Sequence, residues 1–204
     1  MASSESPRLS ETPAADTLKL RAFVALAVGK DARSALVQAT GTLQREPWAK
    51  GVRWVRSEGL HLTLRFLGDT AFDAVPRLVD ALGERLRQVE PFESALRGLS
   101  LFPSASRPRV VAALLKAEPA LDGLSAAVEE AVVAAGLPAQ SRRFRAHITL
   151  GRFRRTGGRG LELTARPEEV PIAVTEVVLF RSTLGPGGAR YSELGRAALA
   201  TCRS

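Results

Sequence analysis

At 204 residues the chain can bury the core of one domain or of two intimate lobes, and 45% hydrophobic with 25% charged content is ordinary for a globular protein. Twenty-nine basic against 21 acidic residues leave a formal charge of +8, much of it in the stretches Arg142 to Arg159 and Arg181 to Arg203, and this balance favours a polyanionic partner such as nucleic acid. With no run of about 20 apolar residues, no apolar stretch of signal-peptide length and the single cysteine Cys202, the sequence offers no ordinary membrane-spanning helix, no internal disulfide framework and no cysteine-built zinc site, so a cytoplasmic location is expected.

The first seventeen residues are rich in Ser, Pro, Ala and Glu and carry too little apolar surface to repay ordering, so 1–17 reads as a disordered leader before a single domain over 18–204. Residues 18–28 (LKLRAFVALAV) read as a mostly buried strand. A helix follows from Asp31 to Leu43, with Ala35, Leu36, Ala39 and Leu43 on one side and Asp31 as its cap. Val52 to Val55 and Leu60 to Leu67 read as short strands around the polar turn Arg56–Gly59. Val75 to Val89 is a second amphipathic helix that tolerates Pro76 in its first turn. Phe92 to Leu101 and Val110 to Leu115 are expected to pair, and a third helix from Ala120 to Ala135 is stopped by Gly136 and Pro138. Two more strands, Phe144 to Phe153 and Val174 to Arg181, precede a Gly185–Gly188 turn and a final strand through Tyr191. The elements mix without strict alternation, which points to α+β architecture. No GxGxxG or Walker loop follows a strand, and no cofactor is expected.

Both histidines of the chain sit in the same pattern, His–apolar–Thr–apolar: His61–Leu62–Thr63–Leu64 and His147–Ile148–Thr149–Leu150. With 12 threonines in the chain, both matches arise by composition about once in ten thousand. Side chains of a strand alternate faces, so His61 shares a face with Thr63, while Leu60, Leu62, Leu64 and Phe66 are expected to anchor the other face in a core. His147 and Thr149 repeat this arrangement. Two such platforms around one cleft would set two imidazoles and two hydroxyls about a small anion. That set suits in-line attack on a cyclic phosphodiester, one histidine taking a proton from water and the other giving one to the leaving oxygen. The threonines would hold the non-bridging oxygens. Metal binding needs three or four ligands, and neither histidine has a His, Cys or acidic neighbour at ligand spacing.

At these residues the sequence resembles the two-histidine (2H, HxTx) phosphoesterase superfamily, in particular its RNA 2',3'-cyclic phosphodiesterase branch, long called 2'-5' RNA ligase. RAFVAL (21–26), GVRWV (51–55) with LHLTLRFLGD (60–69), RPRVVAALL (107–115), FRAHITLGR (144–152) and STLGPGGARYSEL (182–194) carry the likeness. It implies a bilobal, pseudo-twofold fold in which two mainly antiparallel sheets flank a central cleft with helices outside. It also implies metal-independent hydrolysis of RNA 2',3'-cyclic phosphate ends to 2'-phosphates, with weak reverse 2'-5' ligation. By the same likeness His61 is the acid and His147 the base. Arg152 is a phosphate contact and Phe23 an aromatic that stacks on a base. Strand parity alone puts Arg152 on the face opposite His147, so that role needs a bend near Gly151. Trp54 and Tyr191 read as structural. Ala146 departs from the proline usual before the second histidine.

RNA 3' ends or cyclic nucleotides are therefore the expected partners of a monomer. The alternatives are another activity of the superfamily, on ADP-ribose cyclic phosphate or 2'-5' oligonucleotides, and a non-catalytic module that binds RNA ends.

Overall fold

The computed structural model describes residues 18–116, 119–155, 161–186 and 188–200. The expected leader, Cys202 and part of the turn before the last strand lie outside these residues. The order is β1 (Lys19–Ala27), α1 (Lys30–Leu43), a 3-10 turn (Pro47–Gly51), β2 (Val52–Trp54), a second 3-10 turn (Ser57–Gly59), β3 (His61–Ala71) and α2 (Ala74–Leu86). Then come β4 (Phe92–Phe102), β5 (Val110–Leu115), α3 (Pro119–Ala134), β6 (His147–Phe153), β7 (Pro171–Val174), β8 (Glu176–Gly185) and β9 (Gly188–Ala198). One expected cap shifts. Helix α1 begins a residue earlier than its acid, so Gly29 is the N-cap, and Asp31 lies in the first turn, where it still complements the helix dipole.

All strand pairings are antiparallel, and one path runs β7-β4-β5-β6-β3-β1-β8-β9, with β2 added against β6. The two expected sheets are the halves of this path, four strands on each side of the β3–β6 junction. That junction is a single residue pair, Leu62 opposite Ile148, so the sheet is pinched where the two motif strands meet. A local twofold through that pair relates β3, β1, β8 and β9 to β6, β5, β4 and β7.

The helices cover one face of this sheet. Leu36 and Leu43 of α1, Leu78, Leu82 and Leu86 of α2, and Leu121, Leu124 and Val128 of α3 pack in one core with Leu62, Leu64, Ile148 and Leu150. Each fully buried leucine contributes about 2 kcal/mol, and the amphipathic spacing of α2 needs no other explanation. The motif strands are therefore held from behind by apolar packing, and their opposite face is left to the cleft.

Candidate active site

The alternation expected of the two motifs holds at their centres. Leu62, Leu64, Ile148 and Leu150 are 0–3% exposed, while His61, Thr63, His147 and Thr149 are half-buried on the other face. Carrying the Leu62–Ile148 register one residue either way sets His61 across from Thr149 and Thr63 across from His147. Each imidazole thus lies on the side of the junction that carries the threonine of the other strand.

Beyond the threonines the alternation inverts, and it does so in both strands. Ala25 pairs with Thr63 but Val24 with Arg65, which leaves Leu64 as an extra residue. Likewise Ala112 pairs with Thr149 but Val111 with Gly151, which leaves Leu150 extra. Each is a β-bulge, and each puts two successive side positions on the buried face. The bend needed near Gly151 is this bulge, and it returns Arg152 to the face of His147. The same shift overturns the expected placement of Phe66 in the core: its ring is 57% exposed and lies 6.2 Å from that of Phe23, on the side of His61. Gly151 is also a point of close approach. A Cβ there would lie 2.5 Å from Val52 Cγ1 and 3.0 Å from Trp54 Cε3, so only glycine admits β2 at this place.

Both imidazoles are fixed in the same way. His61 Nδ1 lies 2.8 Å from the Gly59 carbonyl and His147 Nδ1 lies 2.7 Å from the Arg145 carbonyl, in each case two residues back. A carbonyl accepts only, so Nδ1 carries the proton in both rings, and Nε2 is left to exchange protons. His61 packs on Phe23 at 4.7 Å and meets Tyr191 edge-on at 4.9 Å. His147 stacks on Phe102 at 5.0 Å, and the Arg145 guanidinium lies 4.5 Å from the centre of the Phe102 ring. Burial pushes the His61 imidazole below its ordinary pKa of 6.5, and the positive charges of Arg152 and His147 push the same way, against the Gly59 carbonyl.

The structure thus brings together His61, His147, Thr63, Thr149 and Arg152. Phe23 differs from expectation. It is 3% exposed, with the rings of His61, Phe66, Phe180 and Tyr191 around it, so it has no free face for a base and serves as the bed of His61. Sequence reasoning missed Phe102 and Arg53. Arg53 is directly opposite Arg152 in the β2–β6 ladder, and nothing in the sequence announces that β2 pairs with β6 rather than with its neighbour β3.

A pinched antiparallel sheet with a histidine and a threonine from each half at its centre has the build of a two-histidine phosphoesterase. The model of the LigT-like phosphoesterase family matches residues 26–112 and 115–191. The RNA 2',3'-cyclic phosphodiesterase of Thermus thermophilus is 35% identical over 192 residues, 88% of this chain and 90% of that protein. That of Methanothermobacter thermautotrophicus is 30% identical over 182 residues, 87% of this chain and 97% of its own length. The crystal structure of Escherichia coli LigT complexed with 3'-AMP superposes with a TM-score of 0.75 at 26% identity, covering 90% of this chain and 100% of that one. The chain belongs to the LigT-like phosphoesterase family.

Proposed function

We propose that the protein hydrolyses 2',3'-cyclic phosphate ends of RNA to 2'-phosphomonoesters, with 2'-5' ligation as the weak reverse reaction. The observation that carries this reading is the reciprocal His/Thr arrangement, with both Nδ1 atoms committed to backbone carbonyls and both Nε2 atoms left for proton transfer. The relatives from Thermus and Methanothermobacter support it by their activity, and the 3'-AMP complex of LigT supports a nucleotide in this cleft.

In the reaction, Nε2 of His147 takes a proton from water as the water oxygen attacks phosphorus. The bond from phosphorus to O3' breaks in line, and Nε2–H of His61 delivers its proton to O3'. The product is a 2'-phosphate beside a free 3'-hydroxyl. Thr63 and Thr149 donate to the non-bridging oxygens, and Arg152 offsets the charge that gathers on them. In the free protein the environment of His61 favours the neutral ring, so protonation of the acid is drawn in by the anionic phosphate itself. No metal takes part in this reading. A cytoplasmic monomer with one catalytic domain over 18–204, preceded by a leader over 1–17, completes it.

The test is turnover of an RNA oligonucleotide ending in 2',3'-cyclic phosphate, with the position of the product phosphate determined. His61→Ala and His147→Ala should each lose about 10²–10⁴-fold, the usual contribution of a positioned acid or base. A wild-type protein that leaves the cyclic end intact would sink the proposal. The rate should be unchanged by EDTA and bell-shaped in pH; loss on chelation would overturn the metal-free chemistry.

A further inference from the structure

Beside the histidines the cleft widens into a cavity of about 530 Å³ between β2, the turn that follows it and the tip of the β8–β9 hairpin. Four guanidinium-bearing residues line it: Arg53 of β2, Arg56 after it, Arg152 of β6 and Arg190 of β9. They come from three separate parts of the chain, Arg53 with Arg56, Arg152, and Arg190, so their convergence is a product of the fold. One carboxylate lines the same cavity, that of Glu58, and it already accepts the Ser57 hydroxyl at 2.7 Å.

Ion pairs do form at other arginines of the surface, Arg85 with Glu130 and Arg196 with both Glu176 and Glu193. Among the described residues, no carboxylate comes within 4.0 Å of Arg53, Arg152 or Arg190. Arg53 and Arg152 are direct partners in the ladder, so two like charges are held side by side on one face of the sheet. Such a pair is destabilising by itself and is relieved by an anion between the two.

The cavity adjoins the reaction centre. Gly59, whose carbonyl holds His61, lies in its wall, and so does Tyr191, whose ring meets that of His61 edge-on. Arg152 is close enough to depress the His61 pKa. A ligand whose reacting phosphate lies among the histidines and threonines would therefore extend any neighbouring phosphate toward Arg53 and Arg190.

We infer that this cavity is a subsite for a second phosphate of the substrate, one position removed from the phosphate that reacts, with Arg53 and Arg190 as its specificity-determining residues. The inference rests on the reading of the histidine site as a nucleotide phosphoesterase, and it refines the substrate: an end that carries a further phosphate is preferred to a bare nucleoside cyclic phosphate. That second phosphate is either the internucleotide diester of an RNA or the 5' monoester of a mononucleotide.

The test is equilibrium binding by calorimetry, which does not depend on turnover. The probes are 3'-AMP, adenosine 3',5'-bisphosphate and the dinucleotide ApAp, with the wild type and the Arg53→Gln/Arg190→Gln double variant. The wild type should bind at least one of the two-phosphate probes about tenfold more tightly than 3'-AMP, and the double variant should lose that gain. Its affinity for 3'-AMP and its turnover of a mononucleoside cyclic phosphate should stay as in the wild type, which also confirms its fold. A gain confined to ApAp identifies the RNA diester, and a larger gain with the bisphosphate identifies the mononucleotide. Equal affinity for all three probes, or a gain that survives in the double variant, overturns the subsite. Failure of the catalytic reading would show separately, as cyclic ends left intact by the wild type.

Discussion

His61 is the residue in which burial and chemistry pull hardest against each other. Its ring sits between Phe23 and Tyr191, and the surroundings hold its pKa below 6.5. The unfolded chain releases this restraint, so on acidification the unfolded state takes up the proton first. Stability is therefore at its full value above pH 6.5, falls as the pH drops through that value, and levels off below the folded pKa. Thermal melts between about pH 5 and pH 8 should show a steeper acid-side loss for the wild type than for His61→Gln. Parallel curves would mean that the ring is not held in its neutral form. His147, partly buried against Phe102, reaches the same cleft from the other half.

At the scale of the element, the two bulges decide which residues see the cleft. Simple alternation reads the motif strands correctly as far as Thr63 and Thr149, then fails at Phe66, because one extra residue in a strand inverts everything after it. For Arg152 the parity conflict could be seen in the sequence, and Gly151 gave a place to resolve it; for Phe66 the neighbour is Arg65, and nothing warns of a bulge. The helices and the β4–β5 pair were legible because their apolar spacing spans several turns or a full strand. Strand β7 was not, since Pro171–Val174 is four residues beginning with proline. Strand β9 runs to Ala198, past the Tyr191 expected to end it, because its exposed polar residues carry no alternation. The placement of Gly151 can be tested. Gly151→Ala must push back Val52 and Trp54, and the strain falls on Arg152, the next residue of β6. A loss of about 1–3 kcal/mol in urea denaturation is expected, together with reduced activity. An alanine variant as stable and active as the wild type would mean that β2 does not need its present distance from β6.

Across the whole molecule, the halves are joined by few but well-placed contacts. The sheet crosses from one to the other at Leu62–Ile148, β2 of the first half lies on β6 of the second, and Arg65 ties β3 to the far side. The Arg65 guanidinium is buried. It is 2.5 Å from Glu129 of α3 and 2.5 Å from the Pro138 carbonyl, on the segment that leads to β6. Arg65→Ala would leave Glu129 without its partner and the Pro138 carbonyl without its donor, at a cost of about 3–5 kcal/mol measured by urea denaturation. A loss below about 1 kcal/mol, the usual worth of an exposed pair, would show that the halves stay together without this tie. The twofold itself has a chemical corollary. Two histidines and two threonines about an axis look the same from both ends, so they cannot by themselves tell O2' of a ribose from O3'. One difference between the two ends lies just past the bulges, where one half presents the phenyl ring of Phe66 and the other the guanidinium of Arg152. Regiochemistry in the proposed reaction is then a matter of which way round the nucleoside lies, with a hydrocarbon on one side and a charge on the other.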